Sequence, residues 1–220
     1  MKSTTAFCQR ALRSLGLVLL GLLSYQNCMA QTITEVPASN TFYNTPFRNV
    51  LCLGGHLVTL TTSRYLLSCT VSDGYQLTGK TGGNGAQFYS CASSQPVMLG
   101  ADGYLNSCLL YSAISVGGKT NGNGGQSYPC KAGYTVEIKP DGYLNRCTLA
   151  NDIYVGGRVG PNGSQFYLCK QGSAVAIGSD GYLSSCTLDA SFSVITATGR
   201  KQCNAQTVIT IDSGGYATCN

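Results

Sequence analysis

The 220-residue sequence contains no tryptophan, a single histidine and few charged residues, which make up only 10% of the chain. One histidine, His56, is a weak basis for a Ser-His-Asp or Cys-His site. The acidic residues outside the repeated turns also lack a recurring partner of the kind that glycoside hydrolysis needs; they are Glu35, Glu137, Asp152 and Asp189. We therefore expect no catalytic residue and no enzymatic activity, and a glycoside hydrolase-like enzyme is the least favoured alternative.

Long apolar runs are also missing. No segment reaches the roughly 20 apolar residues that a membrane-spanning helix needs. The longest apolar stretch, residues 15–23, follows Lys2, Arg10 and Arg13, which is typical of a secretory signal peptide. We expect residues 1–30 to be removed, and the remaining chain to be secreted, periplasmic or attached to the cell surface without a transmembrane segment.

An excess of positive charge is lacking once this leader is set aside. The formal charge of the whole chain is +5, but only eleven Lys and Arg residues oppose nine Asp and Glu residues after residue 30. Nucleic acid binding depends on many phosphate-neutralising Lys and Arg side chains. The composition therefore argues against nucleic acid and leaves a glycan or a surface protein as the expected partner.

What the sequence has in abundance is cysteine at regular spacing. Ten cysteines follow the leader, and four of them recur exactly one 39-residue period apart, at 69, 108, 147 and 186, which defines an internal repeat. No close Cys-x-x-Cys pair exists, so a zinc site is not expected, and neither is any other metal or cofactor. In an exported chain an even cysteine count predicts disulfides; the ten are Cys52, Cys69, Cys91, Cys108, Cys130, Cys147, Cys169, Cys186, Cys203 and Cys219.

The intervals between these cysteines favour one pairing. They alternate between 17 and 22 residues until the long interval shrinks to 17 near the end, while the short one survives almost unchanged. A deletion is tolerated best outside a covalent loop, so we predict the pairs Cys52–Cys69, Cys91–Cys108, Cys130–Cys147, Cys169–Cys186 and Cys203–Cys219. A rival set joins Cys69 to Cys91, Cys108 to Cys130 and so on, with Cys52 left for Cys219.

Each repeat begins with a predicted β-hairpin. Apolar residues alternate before an Asp-Gly turn, as in "VEIKPDGYLNRC", and alternation is typical of a half-buried strand. A type I turn with a G1 bulge would place Ile138 opposite Leu144, so that apolar side chains share one face. Asp102, Asp141 and Asp180 are then turn residues rather than catalytic or calcium-binding groups.

The second half of the repeat carries a set of polar and aromatic residues in register. In "GKTGGNGAQFYSC", "GKTNGNGGQSYPC" and "GRVGPNGSQFYLC", a basic residue, Asn-Gly, Gln and Tyr recur before the cysteine. Stacked repeats align equivalent residues into ladders. These ladders are either structural or a surface for a glycan; the residues are Lys80, Lys119 and Arg158, Asn84, Asn123 and Asn162, Gln87, Gln126 and Gln165, and Tyr89, Tyr128 and Tyr167.

We therefore predict an all-β protein: a disulfide-stapled tandem β-hairpin array or solenoid of 39-residue units. The alternative is a small β-propeller of four or five blades. Residues 1–30 would be the signal peptide, 31–47 a flexible N-terminal extension and 48–220 a single β-repeat domain. Unpaired strand edges would permit edge-to-edge self-association.

At "VEIKPDGYLNRCTLANDIYVGG" the chain resembles the hairpin repeats of many exported bacterial proteins, which are similar to MORN repeats in being serial antiparallel hairpins. The Tyr and Trp pattern of a true MORN repeat is absent, and the cysteines are an addition. The resemblance implies a scaffold or interaction role and transfers no functional residue. The favoured hypothesis is a structural or cell-surface interaction protein, and the alternative is a carbohydrate-binding module.

Overall fold

The computed structural model describes residues 32–80, 87–119, 126–159 and 163–220. Within these ranges there is no helix at all, and so none that could cross a membrane. The described residues form 21 strands. They are β1 (Ile33–Glu35), β2 (Thr41–Asn44), β3 (Asn49–Cys52), β4 (Val58–Leu60), β5 (Leu66–Cys69), β6 (Tyr75–Gly79), β7 (Gln87–Cys91), β8 (Val97–Leu99), β9 (Leu105–Leu109), β10 (Ile114–Gly118), β11 (Gln126–Cys130), β12 (Thr135–Ile138), β13 (Leu144–Thr148), β14 (Ile153–Val159), β15 (Gly163–Cys169), β16 (Ala174–Ile177), β17 (Leu183–Thr187), β18 (Phe192–Thr196), β19 (Gly199–Cys203), β20 (Val208–Ile211) and β21 (Ala217–Cys219).

The strands form two layers. Eleven make one continuous antiparallel sheet in the order β1-β4-β5-β8-β9-β12-β13-β16-β17-β20-β21, which we call the sheet layer. The other ten form five separate two-stranded hairpins, β2-β3, β6-β7, β10-β11, β14-β15 and β18-β19, which we call the hairpin layer. Each unit of the array is one outer hairpin followed by one sheet hairpin, so units 1 to 5 begin at β2, β6, β10, β14 and β18.

This topology confirms the tandem hairpin array. The propeller alternative is wrong, because a propeller divides its strands among separate four-stranded blades, whereas here one sheet continues through every unit and its end strands do not pair with each other.

The sheet hairpins have the bulged turn that the sequence predicts. Ile138 pairs with Leu144, with a register shift beside it, and Lys139 N–H donates to Tyr143 O across the turn. Gly142 has a φ of 91°, in the left-handed region that favours glycine. In the first sheet hairpin Arg64 adopts a φ of 64° in place of glycine while Leu60 still pairs with Leu66. The turn geometry is therefore set by register and persists when the Asp-Gly sequence is lost.

Five disulfides join the two layers. They are the predicted pairs, Cys52–Cys69, Cys91–Cys108, Cys130–Cys147, Cys169–Cys186 and Cys203–Cys219. Each links the second strand of an outer hairpin to the second strand of the sheet hairpin in the same unit. A closed loop of this size contributes about 3 kcal/mol in a chain-entropy estimate. Disulfides at this density indicate an oxidising compartment.

A single apolar core fills the space between the layers. Every sheet hairpin contributes inward-facing Val, Ile, Leu or Ala side chains, and every outer hairpin contributes an inward-facing apolar residue such as Val116 or Val155. First strands of the outer hairpins pack on the second sheet strand of their own unit, as β10 does on β13 and β14 on β17. The layers are therefore held together by burial along the whole array as well as by the disulfides.

The N-terminal boundary differs from the expected one. We expected residues 31–47 to be a flexible extension, but Ile33–Glu35 pairs with β4 at the edge of the sheet layer, and Thr41–Asn44 pairs with β3 to complete the first outer hairpin. Tyr43 explains the second strand, because its ring is buried in the core. The expected signal peptide, residues 1–30, lies outside the described residues.

The Cys203–Cys219 disulfide is expected to be the first to be reduced in the folded protein. Cys219 is partly exposed, whereas the other nine disulfide cysteines are at most 2% exposed, and access of the attacking thiolate limits exchange. Brief treatment of the native protein with dithiothreitol, alkylation and peptide mapping should label Cys203 and Cys219 first. Chain unfolded beforehand should label all ten together. Simultaneous opening of all five bridges in the native protein, or earlier opening of another one, would contradict the expectation.

Candidate functional site

The three repeated tyrosines of the outer hairpins lie inside the protein. Tyr89, Tyr128 and Tyr167 are at most 1% exposed and belong to the core between the layers. Burial raises the pKa of all three hydroxyls, that of Tyr167 to about 12. The expectation that these rings line a ligand-binding ladder therefore does not fit the geometry, because a ring inside the core cannot stack on a sugar.

Each buried tyrosine hydroxyl bonds to the glutamine two residues before it. Tyr89 Oη donates to Gln87 Oε1 at 3.2 Å, and the same bond is 3.3 Å at Tyr128 and 3.1 Å at Tyr167. A buried hydroxyl without a partner would cost free energy. The glutamine therefore satisfies the one polar atom that the ring brings into the core.

The same glutamines connect neighbouring units. In each case the amide nitrogen Nε2 donates to a main-chain carbonyl of the next outer hairpin, and the acceptor lies 28 residues further along the chain; the pairs are Gln87 to Ser115 O, Gln126 to Tyr154 O and Gln165 to Ser193 O. The two ends of one amide thus bind the buried ring of their own unit and the backbone of the following unit. The predicted glutamine ladder exists, and its hydrogen bonds are internal.

A glycine makes room for each tyrosine ring. A Cβ added at Gly79 or Gly118 would overlap the ring of Tyr89 or Tyr128, and one at Gly157 would lie 2.5 Å from Tyr167 and 2.6 Å from Ile211. These glycines lie on the strand that pairs with the tyrosine strand. The ring therefore lies flat over its own hairpin, and Tyr167 together with Ile211 closes the contact to the next sheet hairpin.

The repeated basic residues lie at the edge where the sheet hairpins turn. Each pairs with the turn aspartate of the sheet hairpin that follows it: Lys80 with Asp102 at 3.5 Å, Lys119 with Asp141 at 3.6 Å and Arg158 with Asp180 at 3.5 Å. All six side chains are 30 to 49% exposed. Exposed pairs of this kind contribute up to about 1 kcal/mol each. The predicted Asn84, Asn123 and Asn162 lie outside the described residues.

A fourth basic residue, Lys139, joins this edge in unit 3. Lys139 Nζ donates to the carbonyl of Gly178 in the neighbouring turn. Burial lowers the pKa of Lys139, and the carboxylates of Asp141 and Asp180 act in the opposite direction. The edge is thus a row of charge pairs, each formed within one unit, and Lys139 adds a bond to the turn of the next unit.

The sequence interpretation missed the exposed aromatic residues of the hairpin layer. Phe42, Phe88, Tyr154 and Phe166 point away from the core and are 66, 56, 61 and 48% exposed. Phe88 and Phe166 stand between the repeated Gln and Tyr, and unit 3 has Ser127 in the same place. Because side chains alternate across a strand, one residue of "QFY" must face solvent when its neighbours face the core. That alternation was the available signal.

A second missed feature is a row of tyrosines beside the Asp-Gly turns. Tyr104, Tyr143 and Tyr182 recur at the repeat period and are partly exposed. Tyr104 stacks on Phe47 with ring centroids 4.4 Å apart, and the guanidinium of Arg158 lies 5.7 Å from the centre of the Tyr182 ring. The sequence feature that could have predicted this row is the tyrosine in each "DGYL".

The residues that could support catalysis or metal binding lie apart. His56 is exposed between β3 and β4. Asp152 accepts the N–H of Gln171 at 2.6 Å, and Glu137 accepts from Asn145 at 2.9 Å. Within the part of the chain that the structure describes, His, Cys, Asp and Glu side chains form no group of three that could hold a metal ion.

Gly118→Ala is expected to destabilise the protein by about 1–3 kcal/mol, because the new methyl group would displace the Tyr128 ring from a packed core. The adjacent Gly117→Ala is the matched control, because a Cβ there meets nothing within 4 Å. Its effect should stay within about 0.5 kcal/mol. Urea unfolding of both variants measures the difference. Equal stability of the two would contradict the packing of this ring.

Comparison with known proteins does not assign this arrangement to a family: no family model, no curated protein and no solved structure matches the chain.

Proposed function

We propose that this chain is an exported, non-enzymatic structural or cell-surface interaction protein, and that the rigid two-layer array is itself the functional product. The observation that supports this most is the use of the repeated polar residues. Gln126 binds the ring hydroxyl of its own unit and the backbone of the next, and Lys119 pairs with the turn of the sheet hairpin in its own unit. The repeated residues therefore join strands within a unit and join units to one another.

The covalent links support the same proposal. A disulfide in every unit fixes the hairpin layer to the sheet layer. Such an array cannot shorten or separate its layers without breaking a covalent bond or a buried contact. That property suits an envelope or extracellular matrix component that must hold its shape outside the cell.

Carbohydrate binding is the second candidate, now on different residues. The exposed rings of Phe88 and Phe166 are two units apart, and a unit advances the sheet by two strands, or about 10 Å. Rings that project from a surface at multiples of this spacing suit stacking on several sugars of an extended glycan. The hairpin face between them has the small side chains of Ser115 and Ser127 and the exposed ring of Tyr154.

The scaffold function is tested by removing one unit at a time. Deletion of residues 70–108, 109–147 or 148–186 removes 39 residues and one disulfide in each case. Because stability in a repeat array is approximately a sum over units and their interfaces, all three shortened proteins should fold. Each should lose a similar part of the retention of the exported protein in the envelope or matrix of its own host.

The comparison among the three deletions gives the decisive result. Retention is measured by fractionation and quantitative immunoblotting, with thermal melting as the check on folding. If one deletion abolishes retention while the other two leave it intact, a single local site carries the function and the scaffold proposal fails. Conversion of a substrate by the purified parent would also refute it.

Carbohydrate binding is tested with Phe88→Ser combined with Phe166→Ser. Both changes copy the residue that unit 3 already has, Ser127, so folding should be retained. A glycan array should show binding by the parent and at least about a tenfold loss in the double variant, since aromatic contacts commonly dominate recognition. Lys119→Ala, away from that face, should bind as the parent does. Equal binding by all three proteins would exclude this surface.

A further inference from the structure

The C-terminal end of the array has an overhanging strand. β18 packs on β21, as the first strand of other outer hairpins packs on its own unit. In unit 4 the second strand, β15, reaches the following unit. Tyr167 of β15 and Ile211 of unit 5 both lie close to Gly157 on β14. No described sheet strand follows β21. The second strand of the last hairpin, β19, is joined to β21 by the Cys203–Cys219 disulfide at its end, whereas its residues 199–202 are exposed and extend beyond the last described strand of the sheet layer.

Lys201 lies on the lower face of this overhang. It pairs with the buried Val194, as Tyr167 pairs with the buried Val155, and cross-strand partners share a face. Lys201 thus occupies the position that a core tyrosine has in units 2 to 4, but it is exposed. A lysine is tolerated there because no described sheet strand lies beyond β21 to bury it.

Glu35 marks the opposite end of the sheet layer. It lies on β1, the first strand, and pairs with Val58, whose side chain is fully buried, so the carboxylate is on the core face of the edge. Its side chain is 35% exposed and forms an ion pair with Arg64 at 3.2 Å. Lys201 in the hairpin layer at one end and Glu35 in the sheet layer at the other therefore have opposite charges on the inner faces of their layers, and Arg64 offsets part of the Glu35 charge.

Both ends also have open backbone edges. In β21 the main-chain N–H and C=O groups of Thr218 and Asn220 point toward β20. Residues that bond to the neighbouring strand alternate with residues that do not in an antiparallel pair. The N–H and C=O groups of Ala217 and Cys219 therefore point away from the sheet. The outer side of β1 pairs with no described strand. Such edges are ready to accept another strand.

We propose that the protein associates head to tail, with the β21 edge of one copy beside the β1 edge of the next, β19 covering β1, and Lys201 facing Glu35. This inference rests on the proposed scaffold function. The contact continues the interface that already joins the units within the chain, in which the second strand of an outer hairpin covers the following unit. β1 and β21 run in the same direction, so the junction is a parallel strand pair.

The charges select this arrangement over symmetric ones. Joining the β21 edges of two copies would bring their two Lys201 side chains together. Joining two β1 edges would bring their two Glu35 side chains together. Like charges across an interface are unfavourable. A head-to-tail contact between open ends does not close on itself and produces a filament. Because each edge strand has only three residues, the association is weak and sensitive to salt.

Sedimentation velocity of the purified full-length exported protein tests the inference. A concentration series at low salt should show oligomers larger than dimers, and these should dissociate as salt is added. Lys201→Glu should weaken association at least about tenfold, because it replaces attraction by repulsion. Arg200→Glu, with the same charge change on the opposite face of the same strand, is the control and should associate like the parent.

A mixing experiment makes the test specific for the two ends. Lys201→Glu and Glu35→Lys should each be monomeric alone, and equal amounts of the two should associate again, because every junction then has opposite charges. If Glu35→Lys fails to fold because of Arg64, Glu35→Gln should weaken association without changing the melting temperature much. A monomeric parent at every concentration, a closed dimer, equal effects of Lys201→Glu and Arg200→Glu, or no recovery on mixing overturns the inference. None of these results affects the unit-deletion test of the scaffold function.

Discussion

The structure depends on the burial of one tyrosine ring in each central outer hairpin. A ring such as Tyr128 fills the space between the layers that small aliphatic residues on short strands leave open, but its hydroxyl must be bonded when it is buried. Gln126 supplies that bond from the same strand, and its amide nitrogen is then directed at the next unit. Gly118 provides the space beneath the ring. The same tyrosine, glutamine and glycine therefore provide both the packing within a unit and the connection to the next unit.

The disulfides complement this contact at a different place. The glutamine bond links hairpin to hairpin along the array, whereas the bridge Cys130–Cys147 links the two layers within one unit. Neither the glutamine bonds nor the disulfides alone would join the units along the array and also join the two layers. Each unit has only four short strands and cannot bury a large core by itself, so covalent links of about 3 kcal/mol each are a substantial part of its stability.

The sequence predicted those features that local spacing encodes. Cysteine intervals indicated the disulfides, and the need for Ile138 to face Leu144 indicated the bulged turn. The sequence did not predict which side of the outer hairpins faces the core. In "QFYSC" either Phe88 or Tyr89 could be buried, since both are aromatic and alternate, and only the fit of a ring over a glycine on the neighbouring strand decides between them. Residues 32–47 were misjudged because their strands are short and contain neither the repeated cysteine nor the Asp-Gly turn.

Comparison among the units distinguishes structural positions from surface positions. The inward position two residues before the outer-hairpin cysteine is the buried Val50 in unit 1, tyrosine in units 2, 3 and 4, and the exposed Lys201 in unit 5, the last described unit. The outward position one residue earlier is Phe88, Ser127, Phe166 and Arg200 in successive units. Packing constrains the residue at the inward position and leaves the residue at the outward position free to vary. Polar residues at every outward position would serve solubility equally well, so the exposed rings in units 2 and 4 support the proposal that the hairpin face contacts a partner.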